Sequence, residues 1–534
     1  MDPRTPATAP NAPASGLRVS PPEASATDLS QGSMTSLTLV LFAAGLTLLV
    51  KLILAAAVPM TQDEAYFVMW GAYPSLGYSE HPPLIGWIEM LILQIGRHPM
   101  LVRLPAVLGT IAIGLGLYWV LRGIDRGKAA LAACLYLLSP LSLAYVIVTT
   151  DTALIVSSFA SAAFLLRALR GERRVDYALA GVFLGCALLS KFFAALLALS
   201  YIAVFLFCAP KTRRSFTGFA LTYLCAFPFG LIILYWNYTH SWMEVRYPSY
   251  RDDDAHLSLV RPLTFLAIQL YLLIPVGLVY LVRERTALWN AIRGPVRLFA
   301  VLFIVPLTVM ALLALRKSVG LHWVLSYYAF AYPVAAFALP TDRLRRALRF
   351  NAWFSVGHVL LVVVAVWIIA LGGSKTLLRP KDHGSVVIST EMPKLREALQ
   401  PYLATHRFAA DGYGIAALLD YALADVHVAA WGLGNHHGRN DDFVTDFNEW
   451  GGQRGLVFSR RPLESHEIEP FFDTLEFRSF DIEGATFHLA LGEGFRLDAY
   501  RERFLAPIRD RYFDIPSWMP VEECYFRKKY FSGE

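Results

Sequence analysis

Residues 61–87 read TQDEAYFVMWGAYPSLGYSEHPPLIGW and directly follow an apolar run long enough to cross a membrane. The stretch places Asp63, Glu64, Glu80 and His81 among aromatic residues and prolines that are typical of a membrane–water interface. Ionised side chains are costly at a bilayer, and a simple linker has no use for them. The stretch therefore predicts a functional loop at the membrane surface.

The composition of the whole chain supports a membrane protein. Of its 534 residues, 56% are hydrophobic and only 17% are charged, whereas soluble proteins carry about a quarter charged residues. Membrane-length apolar runs recur at about 36–58, 100–121, 129–148, 152–168, 177–190, 192–209, 216–235, 262–282, 297–315, 323–340 and 352–372. We therefore expect a polytopic α-helical membrane protein with about eleven transmembrane helices.

The distribution of Lys and Arg predicts the orientation of these spans. Alternate loops are basic, and by the positive-inside rule they face the cytoplasm. They lie at 122–128, 167–174, 211–214, 283–297 and 343–349. Eleven spans then put the N-terminus in the cytoplasm and the C-terminal part outside. The cytoplasmic loops also account for the net charge of +6, so no nucleic-acid partner is needed.

Three domains follow from the patterns. Residues 1–35 are rich in Pro, Ala and Ser and predict a disordered cytoplasmic tail. Residues 36–372 form the transmembrane catalytic domain, in which 59–99 are the first periplasmic loop with interfacial helices. Residues 375–534 predict a soluble periplasmic α/β or α+β domain. Its expected strands are SVVIST (385–390), VHVAAW (426–431), GLVFS (455–459) and ATFHLAL (485–491), and its expected helices are 417–424 and 392–399.

The four residues Thr61-Gln62-Asp63-Glu64 match a capping box, with Thr61 as N-cap and Glu64 at the third helical position. Glu64 then satisfies backbone donors, but the motif does not require Asp63. Stabilisation by the helix dipole, about 0.3–1 kcal/mol, is one explanation for Asp63. A carboxylate held at the interface as a general base is the other, and the four residues leave both open.

The segment Glu80-His81-Pro82-Pro83 predicts a rigid turn. Pro82 holds His81 extended, and Pro83 suits the start of a helix. The following residues are apolar at a spacing that predicts a helix lying along the membrane plane. A role in loop hydrogen bonding is the alternative, but two prolines that fix an acid and a histidine favour a site.

Other polar residues stand on the predicted outer face. Asp151 begins an apolar helix and is either an ordinary N-cap or a ligand of a cation or phosphate. Lys191 lies between two apolar runs, where snorkelling competes with phosphate binding. Arg316 and Lys317 run against the positive-inside trend, and His322 follows them. Residues 252–254 are three acids, which are more typical of a solvated loop than of a metal site. Together these groups suit an anionic lipid-linked substrate.

At these residues the chain resembles bacterial members of glycosyltransferase family 39, relatives of the protein O-mannosyltransferases and the lipid A aminoarabinose transferases. The resemblance covers residues 36 to about 345 and is weaker over 407–458, where the motif NDDF lacks an expected Tyr. It depends on Asp63-Glu64, GYSEHPPLIGW (77–87), Arg103-Leu104-Pro105, Thr150-Asp151, Leu189-Ser190-Lys191, the region 236–242 and His322-Trp323.

The resemblance implies a GT-C fold in a bacterial inner membrane and an inverting transfer from a polyprenyl-phosphate sugar to an envelope glycolipid or polysaccharide. It implies Asp63 as general base, and Glu64 and Glu80 as further catalytic residues with acidic side chains. Lys191 would stabilise the leaving phosphate. Glu80 and Asp151 would shape the site around a divalent cation (Mg²⁺, Mn²⁺ or Zn²⁺), and no organic cofactor is implied. The residues expected to bind substrate are His81, Asp151, Lys191, Arg316, Lys317 and His322.

Two other functions fit parts of the pattern. The acceptor could be a Ser or Thr of a protein rather than a glycolipid. A transporter or flippase for lipid-linked sugars would carry charged or helix-breaking residues near the midplane of several spans. Here the ionisable residues concentrate at loop edges, which disfavours transport.

Overall fold

The computed structural model describes residues 26–251, 258–273, 275–424, 426–434 and 440–532. Residues 1–25 of the expected tail and the acidic run 252–254 lie outside the described residues. The first helix begins at Ala26, ten residues before the predicted end of the tail.

The described part of the membrane domain is built of α-helices. They are α1 (Ala26–Ala57), α2 (Gln62–Ala72), α3 (Leu84–Leu93), α4 (Pro99–Val102), α5 (Leu104–Leu121), α6 (Arg126–Leu137), α7 (Pro140–Ala144), α8 (Thr150–Gly171), α9 (Arg174–Leu188), α10 (Ala194–Phe207), α11 (Arg213–Thr239), α12 (Met243–Arg251), α13 (Val260–Leu272), α14 (Pro275–Arg283), α15 (Arg285–Arg293), α16 (Arg297–Leu313), α17 (Leu325–Tyr328), α18 (Ala331–Ala338) and α19 (Thr341–Ala370). A 3₁₀ turn, Leu321–Val324, precedes α17.

Every predicted span contains helix, but fewer of them are continuous than the eleven runs suggested. In the described chain, five helical stretches are long and apolar enough to cross a membrane, and two bent pairs bring the number to seven. They are Ser36–Ala57, Pro99–Leu121, Thr150–Gly171, Arg213–Thr239 and Thr341–Ala370, with the pairs α13–α14 and α15–α16. The other four runs form shorter or broken helices. In the run 129–148, for example, Pro140 starts a new helix because its ring cannot continue α6.

The surface of the long helices is apolar where it would meet lipid. Phe42, Ile53, Leu361 and Trp367 are more than half exposed, although they are among the most hydrophobic residue types. Contiguous exposed apolar surface marks a membrane-facing region. The helices therefore carry two apolar faces, one toward the protein core and one outward.

The soluble domain contains a five-stranded mixed sheet in the order β2-β1-β3-β5-β4. Its strands are β1 (Arg407–Ala410), β2 (Val428–Ala430), β3 (Gly455–Ser459), β4 (Thr474–Ile482) and β5 (Ala485–Glu493). β1 pairs in parallel with β2 and β3, whereas β5 is antiparallel to β3 and β4. Its helices are α20 (Ser374–Leu377), α21 (Pro380–Thr390), α22 (Met392–Leu399), α23 (Tyr413–Leu423), α24 (Asp441–Val444), α25 (Ser465–Ile468), α26 (Leu497–Tyr500), α27 (Ala506–Tyr512) and α28 (Tyr525–Tyr530). Short 3₁₀ or π turns are Gln400–Tyr402, Phe447–Trp450, Glu469–Phe471 and Arg501–Leu505.

Most secondary-structure predictions for this domain are confirmed, and one is wrong. The strands around 426–431, 455–459 and 485–491 and both predicted helices are present. The segment SVVIST, predicted as a strand, is the second half of α21. His383, Gly384, Val387 and Ile388 are buried at helical spacing, so burial of one face outweighs the strand preference of the β-branched residues.

The soluble domain packs directly on the first loop of the membrane domain. α23 lies against α2, and the rings of Tyr66 and Tyr413 meet edge to face at 5.1 Å. A Cβ added at Gly414 would lie 2.2 Å from the Gln62 Oε1, so the Gln62 side chain packs directly on this glycine. Ser389 Oγ also donates to the carbonyl of Met60 at 2.8 Å. The soluble domain therefore forms one wall of the first loop.

Candidate active site

The start of α2 has the predicted capping box. Thr61 Oγ accepts from the Glu64 amide at 3.2 Å, and Glu64 Oε2 accepts from the Thr61 amide at 3.2 Å. These bonds satisfy backbone donors that the first turn of a helix otherwise leaves open. Asp63 lies in the same turn but takes no part in the box.

Glu64 is a structural residue of this site. It is fully buried and forms a bidentate pair with Arg103, with Nε–Oε1 and Nη2–Oε2 distances of 2.7 Å. Arg103 also donates to the carbonyls of Ala55, Val58 and Pro59, which end the first span. The pair therefore joins α1, α2 and α5. A carboxylate so fully engaged has little capacity left for proton transfer.

Asp63, by contrast, is exposed at the surface of the first turn. Partial burial raises the pKa of its carboxyl, and the neighbouring charge of Glu64 raises it further. The positive field of His322 acts in the opposite direction, which places that histidine close to Asp63 although 259 positions separate them in the chain. A carboxylate with a raised pKa and open access suits a general base.

Glu80 and His81 lie on the predicted turn between α2 and α3. The Tyr78 amide donates to the His81 carbonyl at 3.1 Å and closes the turn. The His81 ring meets the edge of Trp70 at 6.3 Å. Burial raises the pKa of Tyr66 well above its usual value, and the nearby charge of Glu80 adds to this rise. Both residues therefore face α2, Glu80 about one turn and His81 about two turns beyond Asp63.

Asp151 and Lys191 form a buried ion pair. Lys191 Nζ lies 3.0 Å and 2.9 Å from the two carboxylate oxygens of Asp151. The Lys191 side chain is 9% exposed and the Asp151 side chain is 4% exposed. The amide of Leu84 donates to the carbonyl of Leu189 at 2.8 Å, which ties the first loop to the Lys191 turn. The structure thus brings together two predicted substrate-binding residues from separate loops.

The Lys191 turn also contacts the segment that carries His322. Lys191 Nζ lies 5.3 Å from the centroid of the Phe193 ring, and that ring packs on Trp323 at 4.9 Å. Tyr327 Oη donates to the Phe193 carbonyl at 2.6 Å. One aromatic cluster (Phe193, Trp323 and Tyr327) therefore joins the Lys191 turn to the segment of His322, and His322 in turn acts electrostatically on Asp63.

Arg316 and Lys317 lie on the turn that ends α16. Both amides donate to the carbonyl of Leu313, at 3.0 Å and 2.9 Å. The side chain of Arg316 is exposed, and that of Lys317 is half-buried. These two cations belong to the connection that leads to His322.

Of the two predicted metal ligands, Asp151 is already engaged by Lys191. Within the described ranges, no group of three or more His, Cys, Asp or Glu side chains could hold a metal ion. Both oxygens of Asp151 already contact the Lys191 ammonium, so a cation there would have to displace Lys191. The metal site predicted at Glu80 and Asp151 stays a prediction.

Sequence reasoning missed two residues that shape the site. The hydroxyl of Tyr145 lies within the electrostatic field of Asp151, Glu64 and Asp63, which places these three acids in one region. Lys51 is buried inside the first span and donates to Thr110 Oγ at 2.8 Å and to the Tyr145 carbonyl at 2.9 Å. The signal for Lys51 was its position as the only charge in the apolar run 36–58.

A large apolar cavity lies inside the membrane domain. It has a volume of about 470 Å³ and is lined almost entirely by apolar side chains of α13–α18, with Arg285 at its edge. Tyr328 lines it and follows Tyr327, which is bonded to the Lys191 turn. A residue that lines the cavity is therefore the next one in the chain after a residue of the aromatic cluster near the ion pair.

Residues 80–236 match the family model described as dolichyl-phosphate-mannose-protein mannosyltransferase. The matched segment contains Glu80, His81, Asp151 and Lys191, and it confirms the family resemblance over this part of the chain. No curated protein matches the chain in sequence.

Several solved structures share the architecture. ArnT from Cupriavidus metallidurans in the apo state superposes with a TM-score of 0.60 at 15% identity, over 85% of this chain and 98% of ArnT. The same protein bound to undecaprenyl phosphate gives 0.59 at 15% identity, over 84% and 97%. Arabinofuranosyltransferase AftD from Mycobacteria gives 0.52 at 14% identity, over 86% of this chain and 40% of AftD. The chain therefore has the GT-C fold of membrane glycosyltransferases, as its sequence predicted.

Proposed function

We propose that the protein is an inverting glycosyltransferase that moves a sugar from a polyprenyl-phosphate donor to an envelope glycolipid or polysaccharide. The reaction would take place on the periplasmic face of a bacterial inner membrane. The observation that carries the proposal is the exposed Asp63, held by the Glu64–Arg103 pair beside His322 and near the Asp151–Lys191 pair.

In the proposed reaction, Asp63 takes the proton from an acceptor hydroxyl. The oxygen of that hydroxyl attacks the anomeric carbon of the donor sugar at the same time. The bond from that carbon to the phosphate oxygen breaks, and its electron pair leaves with the polyprenyl phosphate. Attack from the face opposite the phosphate inverts the anomeric centre. Since a phosphate is already a stable anion, the site needs positive charge at the leaving group more than it needs an acid.

Lys191 suits that task. An ammonium group has three N–H donors, and Asp151 takes up at most two of them. The third remains for a phosphate oxygen, while Asp151 fixes the direction of the side chain. A buried cation is also screened less by water and salt than an exposed one. Asp151 is therefore a positioning residue in this proposal, and Lys191 contacts the substrate.

The apolar cavity supports a donor with a long hydrocarbon chain. Its lining offers Leu, Val, Phe and Tyr side chains, which suit isoprene units. Tyr328 lines it and follows Tyr327, which is bonded to the Lys191 turn, so the proposal has one elongated ligand with its phosphate at Lys191 and its chain in the cavity. The structure of ArnT bound to undecaprenyl phosphate shows that a protein of this fold accepts such a molecule.

Purified protein in detergent tests the proposal with a polyprenyl-phosphate sugar and a crude envelope glycolipid fraction. The wild type is expected to transfer label and to release polyprenyl phosphate, whereas Asp63→Asn folds normally and loses more than about a hundredfold in rate. Asp342→Asn is the matched control because Asp342 is also an exposed acid in the first turn of a helix. Wild-type transfer by Asp63→Asn would overturn the assignment of the base.

The same assay separates the alternatives. A transporter would move the donor without releasing polyprenyl phosphate. A protein O-glycosyltransferase would label protein and leave the glycolipid fraction unlabelled. Label in a glycolipid or polysaccharide, together with free polyprenyl phosphate, is the result that the proposal requires.

A further inference from the structure

The soluble domain carries a cleft of its own at the carboxyl ends of its parallel strands. The cleft has a volume of about 910 Å³, and residues just after β1, β2 and β3 line it, namely Asp411, Trp431 and Arg461. Ligands of open α/β sheets bind at this edge, where neighbouring strands send their connections to opposite faces of the sheet.

The strand order creates such a switch point between β1 and β3. After β1 the chain enters α23, which packs with Phe408 and Ala410 on one face. After β3 the chain passes to Ile468, which packs with Val457 on the other face. The loops therefore diverge above the β1–β3 pair and leave a crevice there.

The lining of the cleft combines aromatic rings with polar groups of both signs. Trp431 and Phe504 provide aromatic surface at one side. Arg461 and Arg503 stand against the acids Asp411, Glu467 and Glu502, so the cleft has no strong net charge. Such a surface suits a polyhydroxylated ring, whose hydroxyls accept from guanidinium and donate to carboxylate while its C–H face packs on an aromatic ring.

Two polar atoms at the crevice lack a hydrogen-bond partner within the described structure. Asp411 Oδ1 and Arg460 Nε face each other at 3.9 Å, too far for a direct bond, and neither has another partner. The other oxygen, Oδ2, accepts from Ser459 Oγ at 3.1 Å, which fixes the carboxylate. Of these two residues, Asp411 lines the cleft and is the one that a ligand there would meet.

The crevice is connected to the start of α2. Arg460 Nη1 donates to Ser385 Oγ at 2.5 Å, and Gln62 Nε2 donates to the same hydroxyl at 3.2 Å. Gln62 immediately precedes Asp63. Asp411, which lines the cleft, thus lies beside Arg460, and Arg460 is joined through Ser385 to the helix turn that carries the proposed base.

We propose that this cleft is a carbohydrate-binding subsite that holds a sugar ring of the acceptor away from the reacting hydroxyl. The claim that the sugar belongs to the acceptor rests on the proposed function; the claim that the cleft binds sugar does not. The cleft lies on the soluble domain, so it would recognise the water-exposed glycan and leave any lipid part to the membrane domain.

Saturation-transfer NMR on the full chain in detergent tests the proposal with methyl α-D-mannopyranoside, N-acetyl-D-glucosamine and D-glucosamine at millimolar concentration. At least one sugar is expected to show saturation that Asp411→Asn and Arg461→Gln reduce by about fivefold or more. Asp411→Asn is isosteric and keeps the bond from Ser459, and the Arg461 side chain is 65% exposed, so both variants are expected to fold. Asp498→Asn and Arg478→Gln change exposed residues elsewhere on this domain and serve as matched controls.

Asp63→Asn distinguishes the cleft from the transferase site. The proposal requires that this variant keep its sugar signal, whether or not the transfer assay succeeds. Absence of saturation for all three sugars, or a signal lost in Asp63→Asn and kept in Asp411→Asn, would overturn the cleft. Failure of the proposed function would appear separately, as a protein that binds sugar in the cleft and transfers none.

Discussion

Two adjacent acids at the start of α2 have opposite environments. Glu64 accepts five hydrogen bonds, from the amide and hydroxyl of Thr61, from two nitrogens of Arg103 and from the Val148 amide. Asp63 is exposed and its pKa is raised. The capping motif separated the two residues in the sequence, because the box uses the side chain at position 64 but not the one at position 63.

Glu64→Gln is expected to destabilise the protein rather than to act on the chemistry. The substitution leaves the Arg103 guanidinium buried without its counter-charge, which costs about 3–5 kcal/mol when a buried pair is broken. The thermal midpoint in detergent should fall clearly, and any protein that stays folded should keep its rate of transfer. Glu476→Gln, which breaks an exposed pair with Arg478, should leave the midpoint unchanged. A normal midpoint with lost transfer would instead make Glu64 catalytic.

The pH dependence of transfer is expected to follow the ionisation of the Asp63 carboxyl. Only the ionised carboxylate can accept a proton, so kcat/KM should fall as pH drops through a pKa that burial and Glu64 have raised above the usual Asp value. His322 lowers that pKa, so His322→Ala should move the acid limb to higher pH. His98→Ala changes an exposed histidine of the same loop and should leave the limb in place. A limb that stays in place in His322→Ala would contradict the contact with Asp63.

The Asp151–Lys191 pair shows what single residues could not reveal. Each residue stood out in the sequence as a polar group among apolar residues. Each also had an ordinary structural explanation, Asp151 as a helix N-cap and Lys191 as a side chain that extends to the lipid headgroups. Forty positions separate them, and no local pattern predicts a contact over that distance. Their pairing follows from how α8 and the turn after α9 pack, which is tertiary information.

At the level of elements, local patterns predicted those whose burial agrees with their intrinsic preference. GLVFS is β3 and is buried along its whole length, as expected of a central strand. SVVIST has a similar composition but becomes helical, because α21 buries one face between β5 and α23. Sequence gives the composition of an element but not the neighbours that decide its conformation.

A partly buried histidine links three elements of the soluble domain to the first loop. His427, just before β2, bonds Asp420 of α23 at 3.2 Å, lies 3.5 Å from Asp441 of α24 and packs on the Tyr73 ring at 5.2 Å. Burial lowers the pKa of His427, but the bonds and charges of the two acids raise it more, to about 9. The charged form is therefore the one that stabilises the fold.

His427→Gln is expected to lower stability in a pH-dependent way. A histidine whose pKa rises from 6.5 to about 9 on folding adds to the free energy of unfolding. This stabilisation is complete below pH 6.5 and is lost as pH rises through 9. Its size is about 3 kcal/mol at most. The thermal midpoint of the variant should lie well below that of the wild type at pH 6 and approach it at pH 10. His466→Gln, at an exposed histidine, should show no such difference, and a gap that is constant with pH would exclude the charged pairing.

For the whole molecule, hydropathy predicted the membrane domain, but it overestimated the number of unbroken spans. A sliding apolar pattern does not register a proline or a sharp bend between two helices. The apolar run 129–148, for example, contains two helices, α6 and α7, and Pro140 starts the second. Nor does hydropathy predict that the soluble domain closes over the first loop, which depends on contacts such as Tyr66 with Tyr413.

The orientation of the molecule can be tested with single cysteines in a background that lacks the five natural ones. Gly123→Cys stands in a predicted cytoplasmic loop, where nothing lies within 4 Å of an added Cβ. Trp518→Cys replaces a side chain that is 77% exposed in the soluble domain. If basic loops face the cytoplasm, a membrane-impermeant maleimide should label position 518 in intact spheroplasts and position 123 only after detergent is added.

The reverse labelling pattern would contradict more than the topology. The proposed base, the buried ion pair and the soluble domain lie on one side of the membrane domain, because α2, the Lys191 turn and α23 contact each other or share neighbours. A cytoplasmic soluble domain would therefore carry the whole candidate site with it. Transfer would then draw on a donor facing the cytoplasm, and the acceptor could not be a periplasmic glycan. Labelling at position 518 from outside is thus the condition on which the proposed acceptor class depends.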